Sequence, residues 1–115
     1  MVTSKIYVPD QGDLVWLDFD PQAGHEQAGR RPALVLSPKA YNNATKLMLC
    51  CPVTSRVKGY PFEVVVFGSP KISGVALSDQ IRSLDWEARN ADFIDRVPDA
   101  ILSEVAMKQK VLLPK

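Results

Sequence analysis

Leu14-Val15-Trp16-Leu17-Asp18-Phe19-Asp20-Pro21 and Pro32-Ala33-Leu34-Val35-Leu36-Ser37 are two short apolar runs separated by a polar interval with glycines at Gly24 and Gly29. The first run is rich in β-formers and stops at a proline. The second opens on a proline and is apolar without interruption, the pattern of a strand buried on both faces. Between them stand His25, the chain's only histidine, with Glu26, Gln27 and the adjacent pair Arg30 and Arg31. A loop that only reverses the chain has no need of these groups; a loop that meets a phosphate does.

The same rhythm continues outward. Residues Met1 to Asp10 read as an irregular lead into the first strand. Lys39 to Thr45 is turn-like, with Asn42-Asn43 at its centre. Leu47 to Val53 is a third strand, and Thr54 to Pro61 a second polar loop. Phe62 to Phe67 is a fourth strand, closed by Gly68-Ser69-Pro70, and Gly74 to Leu77 and Gln80 to Leu84 are short strands. The pattern then changes. Pro98 suits a first helical position, Asp99 favours a helix N-terminus, and Ile101, Leu102, Val105 and Ala106 recur at helical spacing, with Lys108 and Lys110 near the end. The expected architecture is mainly β: a small, strongly bent antiparallel sheet or barrel with a C-terminal helix packed against it. No repeat or linker divides the chain, so residues 1–115 read as one domain.

Composition sets the broad class. The 115 residues suffice for one core, and 46% hydrophobic with 23% charged residues argues against global disorder. No stretch nears the roughly 20 apolar residues of a membrane span, and the N-terminus carries no signal-like apolar run, so a soluble, cytoplasmic protein is expected. Cys50 and Cys51 are neighbours in an apolar strand, where side chains alternate between faces. A bond between them would be strained, and they read as two reduced, small hydrophobes.

The net charge of +1 points to no partner, but its distribution does. From Pro21 to Phe62 stand six basic residues (Arg30, Arg31, Lys39, Lys46, Arg56, Lys58) and one acidic, Glu26. Folded onto one face, that segment makes a polyanion-binding surface on a nearly neutral protein.

Three kinds of chemistry compete for these residues. Asp18 and Asp20 share a strand face, but a single histidine and no further carboxylate cluster give a metal little to bind, and aspartates before a proline commonly form turns. His25 with Cys50 or Cys51 would make a nucleophilic pair, yet thiols in an apolar strand are buried and inert. The two polar loops together hold His25, Glu26, Arg30, Arg31, Thr54, Ser55, Arg56 and Lys58. These suit metal-free cleavage of an RNA phosphodiester, in which the substrate's own 2′-hydroxyl attacks. The protein then supplies only a base, a proton donor and hydrogen-bond donors around the phosphorane. At this level Glu26 is either a base or the partner that shapes the loop around Arg31. Arg30 is either a phosphate contact or a solvated side chain, and Lys58 either a ligand or a turn residue.

Four motifs carry a resemblance that spans almost the whole chain: Pro9-Asp10-Gln11-Gly12-Asp13-Leu14-Val15-Trp16-Leu17-Asp18-Phe19-Asp20-Pro21, Glu26-Gln27-Ala28-Gly29-Arg30-Arg31-Pro32-Ala33-Leu34-Val35-Leu36-Ser37, Lys58-Gly59-Tyr60-Pro61-Phe62-Glu63-Val64 and Gly74-Val75-Ala76-Leu77-Ser78-Asp79-Gln80. In this order they resemble the MazF/PemK toxins, the mRNA interferases of type II toxin–antitoxin pairs, and most closely the MazF branch. The resemblance implies a homodimer of SH3-like (PemK/CcdB-type) barrels. Such a dimer cuts single-stranded RNA without metal, cofactor or ribosome, and leaves a 2′,3′-cyclic phosphate and a 5′-hydroxyl. A MazE-like antitoxin is the implied partner, laying an acidic tail across the RNA groove, and no membrane is involved.

Carried onto this sequence, the family's arginine before the first-loop proline falls on Arg31, its threonine after the third strand on Thr54 and its loop glutamate on Glu26. Arginine stays protonated at neutral pH, so Arg31 is assigned as electrostatic clamp and proton donor, with Thr54 as second phosphate donor. Glu26 is then the base or the group that positions Arg31. His25, Gln27, Arg30, Ser55, Arg56, Lys58 and Gln80 are the expected RNA contacts. His25 and Arg30 stand where some relatives place serine and histidine, a departure that bears on the recognition sequence. Two other readings compete: a CcdB-like toxin that binds DNA gyrase without cutting, and a silent SH3-like interaction module. The CcdB type relies on a Trp-Gly-Ile terminus, whereas this chain ends Leu112-Leu113-Pro114-Lys115. If the nuclease reading holds, Arg31 and Thr54 must meet in space.

Overall fold

The computed structural model describes residues 7–19 and 29–115. Seven strands and two helices follow in the order β1 (Asp13–Asp18), β2 (Arg30–Val35), α1 (Lys39–Thr45), β3 (Leu47–Thr54), β4 (Glu63–Val66), β5 (Gly74–Leu77), β6 (Arg82–Asp85), β7 (Asp92–Arg96) and α2 (Asp99–Lys110). Every strand pair is antiparallel. The sheet runs β4-β5-β3-β2-β1-β7, with β6 paired to β3 beside β5. The strand β3 therefore changes partners along its length: Leu47 to Cys50 pair with β6, and Val53 and Thr54 with β5. This curled, mainly β architecture with a C-terminal helix is the one expected.

Both faces of the sheet are buried, which accounts for the uninterrupted apolar runs. Leu14, Leu34, Cys51 and Val53 face one core, closed by β4, β5 and the helix residues Ile101 and Val105. Val15, Leu17, Ala33, Val35, Met48 and Cys50 face the other, closed by Leu84 and Trp86. Cys50 and Cys51 thus point to opposite cores as free thiols, and burial pushes the Cys50 thiol up to about 12 and Cys51 up as well. A thiol held protonated in this way is no nucleophile.

Helix α2 buries Ile101, Val105 and Gln109, one residue per turn, and carries Asp99 in its first turn and Lys108 and Lys110 in its last. Pro98 caps the helix from extended backbone, and Asp99 is the first helical residue.

Two segments differ from expectation. Lys39–Thr45 is not a turn but a helix, and Asn42 is fully buried within it. The carboxamide of Asn42 donates to the Pro9 carbonyl at 2.8 Å and the Ser37 carbonyl at 3.0 Å, and accepts from the Ser37 hydroxyl at 2.6 Å. Its backbone carbonyl accepts from the Trp86 indole at 2.9 Å. Asparagine signals a turn when its amide bonds to its own backbone; here distant groups take the amide, and the turn signal loses its cause. Strand β7 was not expected, because Asp92, Asp95 and Arg96 mask its period and only Ile94 is buried. It forms because β1 offers it a backbone edge, and the ion pairs Arg30–Asp92 and Arg96–Asp13 bind it there.

Replacing Asn42 deprives the Pro9 and Ser37 carbonyls and the Ser37 hydroxyl of their partner, each worth roughly 1–3 kcal/mol when left unpaired. Asn42→Ala should therefore lower unfolding free energy by about 2–4 kcal/mol. Urea titration checks this: the midpoint should fall with little change in slope, whereas an unmoved midpoint would show that the network is dispensable.

Candidate functional site

The β2–β3 ladder pairs Ala33 with Pro52, Leu34 with Cys51 and Val35 with Cys50. Continued by two residues, that register sets Arg31 opposite Thr54, on the same face of the sheet. The ladder does not continue, because Pro32, next to face Val53, has no N–H to donate; on its other edge β3 meets β5 at Val53 and Thr54. Where β2 and β3 part, a cleft of about 270 Å³ opens, lined by Arg31, Thr54, Ser55, Lys71 and Ser73, with Trp16 and neighbouring apolar residues. Arg31 and Thr54 line it together, from positions 23 apart in sequence.

Thr54 is almost fully buried, and its hydroxyl accepts the Arg56 backbone N–H at 3.1 Å. It is pressed into place from β5. Gly74 lies so close that an added Cβ would stand 2.2 Å from the Thr54 carbonyl oxygen and 2.9 Å from its carbon. With φ at +134°, only glycine fits there without strain.

On the other wall, Arg31 is half-buried at the start of β2. Its neighbour Arg30 points to the opposite face. The Arg30 guanidinium donates to Asp18 at 3.1 Å and to Asp92 at 2.7 Å, and the Asn90 amide adds a 2.9 Å bond to Asp18. The Asn90 and Arg30 bonds hold the Asp18 carboxyl below the ordinary carboxylate range. With the Phe19 N–H bonded to the Gly29 carbonyl at 2.9 Å, this network ties the ends of β1 and β2 together. His25, Glu26 and Gln27 lie outside the described residues, as does Asp20, so the structure assigns them no place. Asp18, weighed above as a metal ligand, is engaged by Arg30 and Asn90. Among the described residues no group of three His, Cys, Asp or Glu side chains converges on one point.

The remaining expected contacts form a second group. Arg56 and Lys58 are exposed on the loop after β3, and Gln80 sits on the turn after β5. Glu63, given no role by its motif, builds this loop: its carboxylate accepts the backbone N–H groups of Lys58 at 3.0 Å, Gly59 at 3.0 Å and Tyr60 at 3.2 Å. Tyr60 in turn donates its phenol to Asp79 at 2.5 Å, which links the loop to the turn carrying Gln80. That bond, with desolvation, raises the phenol above its ordinary value and keeps it a donor. Lys108 secures the loop from α2, at 2.6 Å from the Pro61 carbonyl and 3.0 Å from that of Glu63.

The basic interval does not form one patch. Lys39 opens α1 and Lys46 ends it, just before the first residue of β3, whereas Thr54 is the last. The Lys46 ammonium lies over the Trp86 ring, 5.5 Å from its centroid. The lysine that does reach the cleft is Lys71, outside that interval and unmarked by any motif.

Comparison with known proteins decides the class. The family model described as PemK-like, MazF-like toxin of type II toxin–antitoxin system matches residues 10–113. The chain belongs to this family. It is 53% identical over 107 residues to the endoribonuclease toxin MazF of Escherichia coli (strain K12), covering 93% of this chain and 96% of that one. Its fold matches crystalline MazF of Deinococcus radiodurans with a TM-score of 0.89 at 60% identity, covering 93% of this chain and 97% of that one. A MazE–MazF complex from the same organism matches at a TM-score of 0.83 and 60% identity, over 93% and 96% of the two chains. The function is that of a MazF-type endoribonuclease toxin of a toxin–antitoxin system, and the gyrase-binding CcdB reading falls.

Two outcomes follow for this MazF-type site. Gly74→Ala forces backbone apart at Thr54, so RNA cleavage should drop at least tenfold, with stability lowered by about 1–3 kcal/mol as in other overpacked sites. Full activity in an RNA cleavage assay would show that Thr54 need not be held there. The depressed Asp18 carboxyl makes folding favourable above the ordinary carboxylate range and loses that contribution as pH falls through it. Denaturation midpoints measured from about pH 6 to pH 2.5 should therefore fall less steeply for Asp18→Asn than for the parent.

Proposed function

We propose that the chain cleaves single-stranded RNA at a short recognition sequence, without metal or ribosome, by attack of the substrate's 2′-hydroxyl on the adjacent phosphorus. The 5′-oxygen leaves with a proton, and the products carry a 2′,3′-cyclic phosphate and a 5′-hydroxyl. The observation that carries this reading is the convergence of Arg31 and Thr54 on one cleft, among hydroxyls and cations. Arg31 neutralises the phosphorane and donates the proton to the leaving oxygen, and the Thr54 hydroxyl adds a second donor. Glu26 takes the 2′-hydroxyl proton or positions Arg31. His25, Gln27, Ser55, Arg56, Lys58 and Gln80 contact the RNA on either side, and unstacked bases are read at their edges. Arg30, held by Asp18 and Asp92 on the opposite face, braces the loop base instead of contacting the RNA.

The active species in this reading is a cytoplasmic homodimer with the RNA groove across it, free of membrane and of any cofactor. A MazE-like antitoxin neutralises it by covering that groove, in keeping with the MazE–MazF complexes among its structural relatives.

The test is incubation of purified protein with RNA in EDTA, followed by end analysis. Cleavage with cyclic-phosphate ends is expected, and intact RNA would remove the reading. Arg31→Ala should lower the cleavage rate by about 100–1000-fold, the cost of losing an oxyanion donor, with RNA affinity changed far less. A rate loss below tenfold with collapsed affinity would make Arg31 a binding residue only.

A further inference from the structure

The cleft holds a cation that neither the motifs nor the charge pattern singles out. Lys71 lies in the turn between β4 and β5, where its backbone N–H donates to the Ser69 hydroxyl at 3.2 Å. The next residue, Ile72, is buried in the core that α2 closes, so the turn is anchored immediately beside Lys71. The ammonium donates to the Ile94 carbonyl at 3.3 Å, which uses one of its three donors and leaves two for a ligand, and Lys71 is among the residues lining the cleft. The same lining includes Arg31 and the hydroxyl-bearing Thr54, Ser55 and Ser73. Among the described residues that line this cleft there is no carboxylate. Asp95, just outside, is held below the ordinary range first by the Arg96 backbone N–H and the Ser69 hydroxyl, and last by the charge of Lys71.

We propose that Lys71 binds a second phosphate of the RNA, the one flanking the scissile phosphate, and so fixes how the strand runs through the cleft. This rests on the RNA-cleaving reading of the same site. A single strand cannot bring one phosphate to Arg31 and Thr54 without carrying its neighbour along the cleft wall, and Lys71 is the cation that wall provides. A compact ammonium suits the role, because a non-reacting phosphate needs charge and reach rather than the planar fork required around a phosphorane. Contacts of this kind act on ground state and transition state alike, so they appear in KM rather than kcat.

The test compares parent, Lys71→Gln and Lys71→Arg on one cleavable RNA oligonucleotide, with binding measured in parallel on the same sequence carrying a 2′-deoxy sugar at the cut site. Lys71→Gln should raise KM about tenfold at low salt, the value of one charged hydrogen bond, and leave kcat within twofold. The slope of log affinity against log salt should lose about 0.7, the share of one phosphate on a single strand, and Lys71→Arg should restore it. An unchanged salt slope in Lys71→Gln, or a fall in kcat with KM preserved, overturns the proposal. A merely structural lysine would lower the unfolding midpoint without moving the slope, and that result counts against the proposal too. Failure of the underlying reading looks different: the parent itself then leaves RNA intact, or Arg31→Ala keeps its kcat.

Discussion

Strand β3 cannot satisfy both of its edges with single partners. Eight residues long, it borders β2 on one side, and on the other it meets β6 along its first half and β5 at its end. The strands β5 and β6 are each four residues long, too short to cover it alone. The exchange of partners happens at Val53 and Thr54, where β2 has already parted from β3. That parting is the cleft. The position of the cleft is thus set by backbone hydrogen bonding: Pro32 has no N–H to give Val53, β2 leaves the ladder there, and the residues flanking the gap are Arg31 and Thr54.

The distribution of charge around the gap follows a consistent division. Carboxylates sit behind the working surface and hold its parts. Asp18 and Asp92 clasp Arg30 at the base of the first loop, Glu63 gathers the three N–H groups of the second, and Asp79 fixes Tyr60 to the following turn. The cleft itself presents cations and hydroxyls. Bonded to backbone or to a second arginine, these carboxylates stiffen the frame without adding charge to the described lining of the cleft. Arg30 and Arg31 illustrate the division in adjacent residues. Strand alternation turns one toward the framework and the other toward the gap.

Membership in the MazF-like toxin family joins these observations to a cleavage chemistry that asks little of the protein. When the nucleophile belongs to the substrate, the enzyme contributes position and charge, and a small sheet with two polar loops is sufficient.

The sequence by itself determined β1 and β3 to β6 within a residue or two, the C-terminal helix and the inert thiols; β2 begins at Arg30, before its apolar run, because Leu17 and Asp18 pair with Arg31 and Arg30. The former were legible because they rest on local causes: alternation and β-branching for strands, prolines and glycines at their ends, charged termini on the helix, and a four-motif family pattern. What only the tertiary structure decided rests on contacts between distant segments. Asn42 reads as a turn until Pro9, Ser37 and Trp86 take its hydrogen bonds. β7 reads as a charged connection until β1 offers it an edge. The basic interval reads as one patch until β3 carries Lys46 far from Thr54. Lys71 reads as one lysine among several until the turn before β5 brings it to the cleft. In each case the local signal was sound, and a partner remote in sequence outweighed it, because hydrogen bonds and charges act across space whatever the length of chain between them.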